Sequence, residues 1–374
     1  MSSAGIHALT MPKWGLSMRE GKVVAWLAEE GSEVASGCEV VEVETDKMLS
    51  AIEASHGGRL RRQVGRVGEN IPVGGIVGVI SEDSISDTEV DAFIAEFRSS
   101  FKPEEAGQEA SSGEQPEFVT VQGQRMRYLK RGEGGLPAVL IHGFGGDLNN
   151  WLFNHETLSQ RGAVYAIDLP GHGASSKQVA SPSLDGLVAT LEGFLNAVTL
   201  PKAHLIGHSM GGGIAVQFAL AHPERVASLV LIASTGLGPE INAGYIEGFT
   251  AALRVKDLKP HLEALYINPK SITRKMIDEV LKTKRLDGVE QALRGIAAQL
   301  FPGGRQASVQ RDRLAELKMP VLVIWGAEDR IVPSSHARGL PANITSEVIP
   351  SSGHMVHMEA ATEVNRLIDS FWSR

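Results

Sequence analysis

A serine flanked by glycines stands where the sequence changes from a strand pattern to a helix pattern. Residues 207–211 read Gly-His-Ser-Met-Gly, with Ser209 at the centre. They follow an apolar run at 203–206 and precede a helix-compatible stretch at 214–220. A Gly-x-Ser-x-Gly sequence in this context predicts a nucleophile elbow, a strained turn that presents the serine oxygen for covalent acyl transfer. The glycines are needed because the backbone of such a turn packs closely against its neighbours.

An acid and a histidine follow this serine in the order that the chemistry requires. Asp329 comes shortly after an apolar run at 321–325, and His354 lies in a glycine-containing stretch near the C-terminus. His354 is predicted to take the proton of Ser209, while Asp329 holds the imidazole in the correct tautomer. Glu328, directly before Asp329, is the alternative acid.

A second candidate for chemistry is Lys47, which lies near the middle of an internal repeat. Apolar positions recur at an offset of 37 residues, and so do glycines: Gly21 and Gly58, Gly31 and Gly68, Gly37 and Gly74. Short runs alternate apolar and polar residues between these glycines, which predicts two similar β halves packed as a flattened barrel with a pseudo-twofold axis. Lys47 falls at the join of the halves, where polar residues favour an exposed tight turn.

The first 81 residues resemble the lipoyl domain of 2-oxo acid dehydrogenase-type complexes. The resemblance is carried by residues 11–21, MPKWGLSMREG, and residues 42–47, EVETDK. It implies an all-β lipoyl/biotinyl-type barrel over residues 1–81, with lipoate in amide linkage on Lys47. The related biotinyl domain has Met-Lys-Met at this position. Asp46 before the lysine favours lipoate, although Met48 follows it as in both families.

Residues 82–117 carry the negative charge of the chain. They hold eleven acidic and two basic residues, whereas the whole chain has a formal net charge of −8. The part at 103–117 is rich in Glu, Gly, Ser and Pro, a composition typical of disorder. Apolar residues at 87–101 have helical spacing. We therefore expect an acidic flexible linker with a short helix, which docks on the chain, floats freely or binds a partner protein.

From residue 118 onward, continuous apolar runs alternate with helical stretches, as in a mostly parallel sheet with helices on both faces. Residues 142–146, HGFGG, and 168–173, DLPGHG, resemble the α/β-hydrolase superfamily. The resemblance implies an α/β-hydrolase fold over 118–374 with a helical cap at about 236–312. It also implies an oxyanion hole made by the backbone N–H groups of Phe144 and Met210, and it favours Asp329 as the acid of a Gly-x-x-Asp sequence. His142, His208 and His357 are expected to support the site rather than to act as bases.

A lipoyl arm joined to a Ser-His-Asp site resembles, over the whole chain, the acyltransferase component of acetoin dehydrogenase complexes. Other lipoyl-dependent acyltransferases carry a His-x-x-x-Asp-Gly sequence, which is absent here. The resemblance implies transfer of an acetyl group from dihydrolipoyl-lysine to coenzyme A. It also implies three partners: a thiamine-diphosphate-dependent acetoin dehydrogenase component, dihydrolipoamide dehydrogenase and a lipoylation enzyme. Two alternatives stay open, namely an esterase, thioesterase or C–C hydrolase with an accessory arm, and a lipoyl carrier with an idle triad.

Composition limits the number of domains, the classes of partner and the cellular compartment that are compatible with the sequence. The chain has 374 residues, of which 43% are hydrophobic and 21% charged, as in globular proteins of two domains. The sequence has no stripe of basic residues that would indicate binding of nucleic acid. No apolar stretch reaches the ~18 residues that a membrane helix needs. The single cysteine, Cys38, and the absence of a signal-peptide pattern suggest a cytoplasmic protein. Scattered histidines without ligand spacing predict no metal site.

Overall fold

A computed structural model describes residues 5–12, 18–45, 49–101 and 115–373. These residues form two compact units, one built mainly from the chain up to residue 101 and the other from residue 115 onward. Among the residues described, no helix is long and apolar enough to cross a membrane.

The first unit contains two four-stranded sheets. Its described strands are β1 (Ile6–Thr10), β2 (Glu20–Trp26), β3 (Glu33–Val34), β4 (Glu39–Glu44), β5 (Leu49–Glu53), β6 (Gly58–Gln63), β7 (Asn70–Pro72) and β8 (Ile76–Ser81). The strand orders are β1-β8-β6-β3 and β5-β4-β2-β7. Exchanging the two halves of the repeat converts one order into the other, because β2, β3 and β4 correspond to β6, β7 and β8. The predicted flattened barrel is confirmed.

The core of this barrel is made by the apolar positions of the repeat. Side chains at equivalent places in the two halves are fully or almost fully buried in one cluster: Val23 and Leu60, Val40 and Val77, Val43 and Ile80. Neither half could exclude water from these side chains alone, so the two halves stabilise each other by burying a shared apolar surface.

Helix α1 (Asp87–Ser100) packs on strand β8 of the first unit. Val90 and Phe93 on its apolar face are buried against Ile6, Ile76 and Val79. Ser86 caps the helix in a reciprocal pair of hydrogen bonds with Glu89, in which each side chain accepts the backbone N–H of the other residue. These two N–H groups would otherwise have no acceptor within the helix. The sequence left open whether this helix docks, floats or binds a partner protein. In the structure it is docked, and its apolar face is covered by the sheet of the first unit.

The second unit is built on an eight-stranded sheet. Its strands are β9 (Glu117–Val121), β10 (Gln124–Arg131), β11 (Ala138–Ile141), β12 (Val164–Ile167), β13 (Ala203–His208), β14 (Val226–Ile232), β15 (Val321–Gly326) and β16 (Ile344–Ile349). The order is β16-β15-β14-β13-β11-β12-β10-β9, and all neighbours are parallel except the pairs that β10 makes with β9 and β12. The predicted α/β-hydrolase sheet is confirmed.

Helices cover this sheet and form the expected cap. They are α2 (His155–Ser159), α3 (Leu184–Ala197), α4 (Met210–Ala221), α5 (Ala243–Ala251), α6 (Val255–Glu263), α7 (Arg274–Lys284), α8 (Val289–Leu300), α9 (Val356–Glu359) and α10 (Ala361–Trp372). The fully described stretch 236–312 contains α5 to α8 and no strand of the sheet. Loops after β11, β13, β15 and β16 meet at the carboxyl edge of the sheet, where ligands bind in folds of this type.

Candidate active site

Ser209 occupies a strained turn between β13 and α4. Its φ and ψ angles are 52° and −118°, a region that non-glycine residues rarely adopt. The turn is held from both sides, because the Ser209 N–H donates to the carbonyl of Ile232 at 2.9 Å and the Ser209 carbonyl accepts from the N–H of Gly212 at 2.9 Å. A side chain at Gly207 would collide with Gly211. This is the strand–turn–helix geometry that the sequence predicted.

His354 and Asp329 form a buried hydrogen-bonded pair at the same edge of the sheet. Nδ1 of His354 lies 2.8 Å from Oδ2 of Asp329, and their side chains are 3% and 0% exposed. The other carboxylate oxygen, Oδ1, accepts the N–H groups of Ile331 at 2.8 Å and Val332 at 3.0 Å. An acceptor-only carboxylate requires the imidazole proton on Nδ1, which leaves Nε2 free to accept a proton.

Glu328, the alternative acid, is used differently. Its Oε2 accepts the backbone N–H of Ser352 at 3.2 Å, which holds the loop that precedes His354. Because the ring of His354 is hydrogen-bonded to Asp329, the geometry favours Asp329 as the acid.

The residue before the nucleophile links the serine turn to the histidine loop. Nε2 of His208 donates to the carbonyl oxygen of His354 at 3.0 Å, and the two rings are 4.7 Å apart between centroids. Burial, followed by the neighbouring His357 and His354, holds the pKa of His208 well below its usual value. Burial likewise lowers the pKa of His357 to about 3. Both rings are therefore neutral supports at neutral pH.

The loop after β11 lies against the serine. A Cβ atom at Gly143 would lie 3.0 Å from Cβ of Ser209, so a side chain at this position would crowd the serine. The N–H of Gly146 donates to the carbonyl of Gly143 at 3.1 Å, which closes a turn without using the N–H of Phe144. Met210 is the first residue of α4, so its N–H has no acceptor within the helix. Met210 directly follows Ser209, and Phe144 directly follows Gly143, so the assignment of their N–H groups as oxyanion donors stays a prediction consistent with this arrangement.

His142 braces this loop, as the sequence suggested. Its Nδ1 donates to the carbonyl of Gly143 at 2.7 Å, and its Nε2 accepts the N–H of Leu169 at 3.0 Å. Burial lowers the pKa of His142. With one ring nitrogen donating and the other accepting, the ring is a neutral strut that fixes the turn carrying Phe144.

Lys47 lies outside the described residues. The strands on either side of it are described, and β4 and β5 pair as antiparallel neighbours with Glu44 opposite Leu49. Among the residues described, no group of three or more His, Cys, Asp or Glu side chains could hold a metal ion.

Two buried features of the second unit were missed by sequence reasoning. Lys284 of α7 is buried, and its Nζ donates to the carbonyl oxygens of Phe249 at 2.6 Å and Thr250 at 3.2 Å. Gln306 and Gln310 are also buried and line a cleft beside Met210. No local pattern could reveal them, since they lie about 75 to 100 residues after Ser209 in the cap region of the sequence.

Fold and site together define an α/β-hydrolase-fold protein that also carries a biotinyl/lipoyl-type domain. Residues 137–361 match the alpha/beta hydrolase fold family, and residues 7–80 match the family of biotin-requiring enzymes. A meta-cleavage product hydrolase from Pseudomonas fluorescens IP01 superposes with a TM-score of 0.63 at 25% identity, covering 69% of this chain and 97% of the hydrolase.

Two relatives match both domains. The dihydrolipoyllysine-residue acetyltransferase component of the acetoin cleaving system of Pseudomonas putida is 48% identical, over 98% of this chain and 98% of the relative. The protein of the same description from Cupriavidus necator is 42% identical, over 98% of this chain and 97% of the relative. The chain belongs to this family of acetoin-system dihydrolipoyllysine-residue acetyltransferases.

Proposed function

We propose that this chain transfers an acetyl group from a dihydrolipoyl arm on Lys47 to coenzyme A, with Ser209, His354 and Asp329 as the catalytic residues. The proposal rests above all on the His354–Asp329 pair, whose hydrogen bond leaves Nε2 as a base at the sheet edge that carries the strained serine. Membership of a family that matches over both domains supports lipoate as the carrier and coenzyme A as the acceptor.

The first half-reaction acylates the enzyme. Nε2 of His354 takes the proton of Ser209 as its Oγ attacks the carbonyl carbon of the S-acetyl group. The N–H groups of Phe144 and Met210 stabilise the negative charge on the carbonyl oxygen of the tetrahedral intermediate. When the C–S bond breaks, His354 returns the proton to the leaving sulfur. The products are acetyl-Ser209 and the reduced dithiol arm.

The second half-reaction reverses these roles. His354 takes the proton of the coenzyme A thiol, and the sulfur attacks the acetyl-serine carbonyl carbon. The ester C–O bond breaks, and Oγ of Ser209 regains its proton from His354. A new thioester in acetyl-coenzyme A replaces the one broken in the donor, and no atom changes oxidation state, so no oxidant is needed within this cycle.

The cycle requires other proteins to load and reset the arm. We propose a thiamine-diphosphate-dependent component that acetylates the lipoyl group while reducing it, and a dihydrolipoamide dehydrogenase that reoxidises the dithiol. A lipoylation enzyme attaches lipoate to Lys47. We further propose that residues 1–81 form the lipoyl domain, that residues 82–117 connect it, and that 118–374 form the catalytic domain, with the docked helix α1 as an extension of the lipoyl domain.

The choice of acceptor tests the proposal directly. Purified enzyme is given S-acetyl-dihydrolipoamide with and without coenzyme A, and both acetyl-coenzyme A and free acetate are measured. The proposal predicts acetyl-coenzyme A as the main product and little acetate when coenzyme A is absent. Release of acetate at a rate that does not depend on coenzyme A would instead identify a thioesterase. This second candidate is considered because the catalytic unit also resembles a hydrolase, the meta-cleavage product hydrolase.

A further inference from the structure

The backbone that follows the cap helix α6 lies against the loop that carries His354. The N–H of Met355, the residue after this histidine, donates to the carbonyl of Leu265 at 3.1 Å. A Cβ atom at Gly353, the residue before the histidine, would lie 3.0 Å from the same carbonyl oxygen. The cap segment, residues 265–267, therefore contacts the histidine loop, residues 353–355, on both sides of His354.

Glu359, the last residue of α9, joins these two stretches through its carboxylate. Its Oε1 accepts the N–H of Ile267 in the cap segment at 2.7 Å, and its Oε2 accepts the N–H of Gly353 in the histidine loop at 2.7 Å. A carboxylate can do this because both of its oxygens are acceptors. The side chain is thus a bridge with one oxygen on the cap and the other on the residue before His354.

The cap is also attached to the loop that carries the predicted oxyanion donor Phe144. The ring of Phe249 in α5 packs edge-on against that of Phe144, with 6.1 Å between the ring centroids, and a side chain at Gly145 would collide with the Phe249 ring. The cap therefore contacts both the oxyanion loop and the histidine loop. A site closed in this way excludes water, which protects a reactive intermediate from hydrolysis.

We propose that the Glu359 bridge holds the cap segment on the histidine loop and thereby keeps water from acetyl-Ser209, an inference that rests on the proposed transfer reaction. Glu359 is a positioning residue, because it acts through two backbone N–H groups rather than on the acetyl group itself. Water and the coenzyme A thiol compete for the same ester carbon, and His354 would take the proton of either nucleophile. Attack by water releases acetate and free Ser209, so the exclusion of water decides between transferase and thioesterase.

Glu359→Gln tests the bridge with a side chain of nearly the same size. Its single amide oxygen can accept one of the two N–H groups, and its NH₂ group is a donor that cannot replace the other acceptor. Loss of one hydrogen bond to a charged group favours the open arrangement by about 10-fold. With S-acetyl-dihydrolipoamide and saturating coenzyme A, the ratio of acetate to acetyl-coenzyme A should therefore rise about 10-fold over the wild type. A purely structural role would leave this ratio unchanged, because it does not depend on the fraction of folded enzyme.

Glu363→Gln is the matched control, since its carboxylate pairs with Arg366 on the exposed surface of α10, and it should keep the wild-type ratio. Glu359→Asp serves if the glutamine variant does not fold. It is one methylene shorter, leaves at least one of the two N–H groups unpaired, and should raise the ratio as well. An unchanged ratio in the Glu359 variant, or an equal rise in Glu363→Gln, overturns the inference.

Hydrogen exchange adds a measurement that does not depend on activity. The amide hydrogens of Ile267 and Gly353 are the donors of the bridge, so at least one should exchange faster in Glu359→Gln, while strand β13 exchanges as in the wild type. Wild-type exchange at both amides would also overturn the inference. Failure of the proposed function looks different, because the wild type would then release acetate at a rate that does not depend on coenzyme A.

Discussion

Asp329 holds His354 through one carboxylate oxygen while two backbone N–H groups hold the other. Oδ2 lies 2.8 Å from Nδ1 of His354, and Oδ1 accepts from Ile331 and Val332. The two oxygens are therefore not interchangeable, and the backbone donors decide which atom faces the histidine.

This asymmetry makes Asp329→Asn a sharp test of the tautomer argument. The amide oxygen of the new side chain should stay on the two N–H groups, so its NH₂ group faces Nδ1 of His354. That nitrogen must then accept, and the proton moves to Nε2, where a base is needed. We expect kcat to fall about 10⁴-fold with little change in stability.

Glu328→Gln is the control for Asp329→Asn, because its carboxylate bonds to the backbone of Ser352 rather than to the imidazole. It should keep kcat within a few-fold of wild type. A loss larger in Glu328→Gln than in Asp329→Asn, measured in steady-state acetyl transfer, would reassign the acid to Glu328.

Lys284 should make stability depend on pH in the alkaline range. Burial lowers its pKa from 10.5 to about 8 in the folded state. Between these values the unfolded chain binds more protons than the folded one, so the contribution of Lys284 to the free energy of unfolding rises with pH. Lys284→Met removes the titration. The wild-type free energy of unfolding minus that of the variant should increase as pH rises across this interval.

Urea unfolding at a series of pH values measures that difference. Lys282→Met, on the same helix but exposed, should give a difference that does not change with pH. A flat profile for Lys284→Met as well would mean that Lys284 titrates normally in the folded protein.

The acidic segment should be the first site of proteolysis in the full chain. Its Glu-, Gly-, Ser- and Pro-rich composition at 103–117 predicts accessible backbone, whereas α1 is docked on β8. Limited digestion should therefore yield an N-terminal fragment that keeps α1 and a C-terminal fragment that starts near residue 118. The absence of a preferred cut between residues 100 and 118 would contradict the linker assignment.

Phe93→Ala tests the docking of α1 in the same assay. Truncating this buried side chain should weaken the helix–sheet contact by roughly 3 kcal/mol. Cleavage should then spread into residues 87–100. Phe118→Ala is a control on an exposed aromatic side chain, and it should leave the digestion pattern of α1 unchanged.

Lys47 should carry lipoate when the chain is made in a lipoate-fed host that has lipoylation enzymes. Intact-mass spectrometry should find one lipoyl group on the wild type and none on Lys47→Arg, which keeps the positive charge. Lys22→Arg, elsewhere on the same barrel, should be modified like the wild type. An unmodified wild-type chain from such a host would contradict the assignment.

Much of the fold was predictable because burial on both faces leaves a local signature. The apolar runs at 203–206 and 321–325 fall within β13 and β15, and the repeat pairs such as Val23 and Leu60 are core residues of the barrel. The antiparallel strands β9 and β10 and the edge strand β16 were not predicted. Their exposed or partly exposed positions interrupt the apolar pattern.

The candidate site also contains residues that could be predicted from the sequence and residues that could not. Ser209, Asp329 and His354 could be found because each has a local context of strand end and glycine. Lys284 could not, since its burial depends on bonds to the carbonyls of Phe249 and Thr250, about 35 positions earlier in the sequence.

The central claim is that acetyl passes through Ser209, and Ser209→Ala tests it most directly. With the loading component and its acetyl source supplied, the lipoyl group on Lys47 of the variant should still become acetylated, because the arm does not depend on the nucleophile. Transfer to coenzyme A should fall on the order of a million-fold, as when a triad serine is removed, and His354→Ala combined with it should be scarcely worse. The acetylated arm should therefore accumulate, as measured by intact-mass spectrometry, and no acetyl-coenzyme A should form. Formation of acetyl-coenzyme A at the wild-type rate by Ser209→Ala would contradict it.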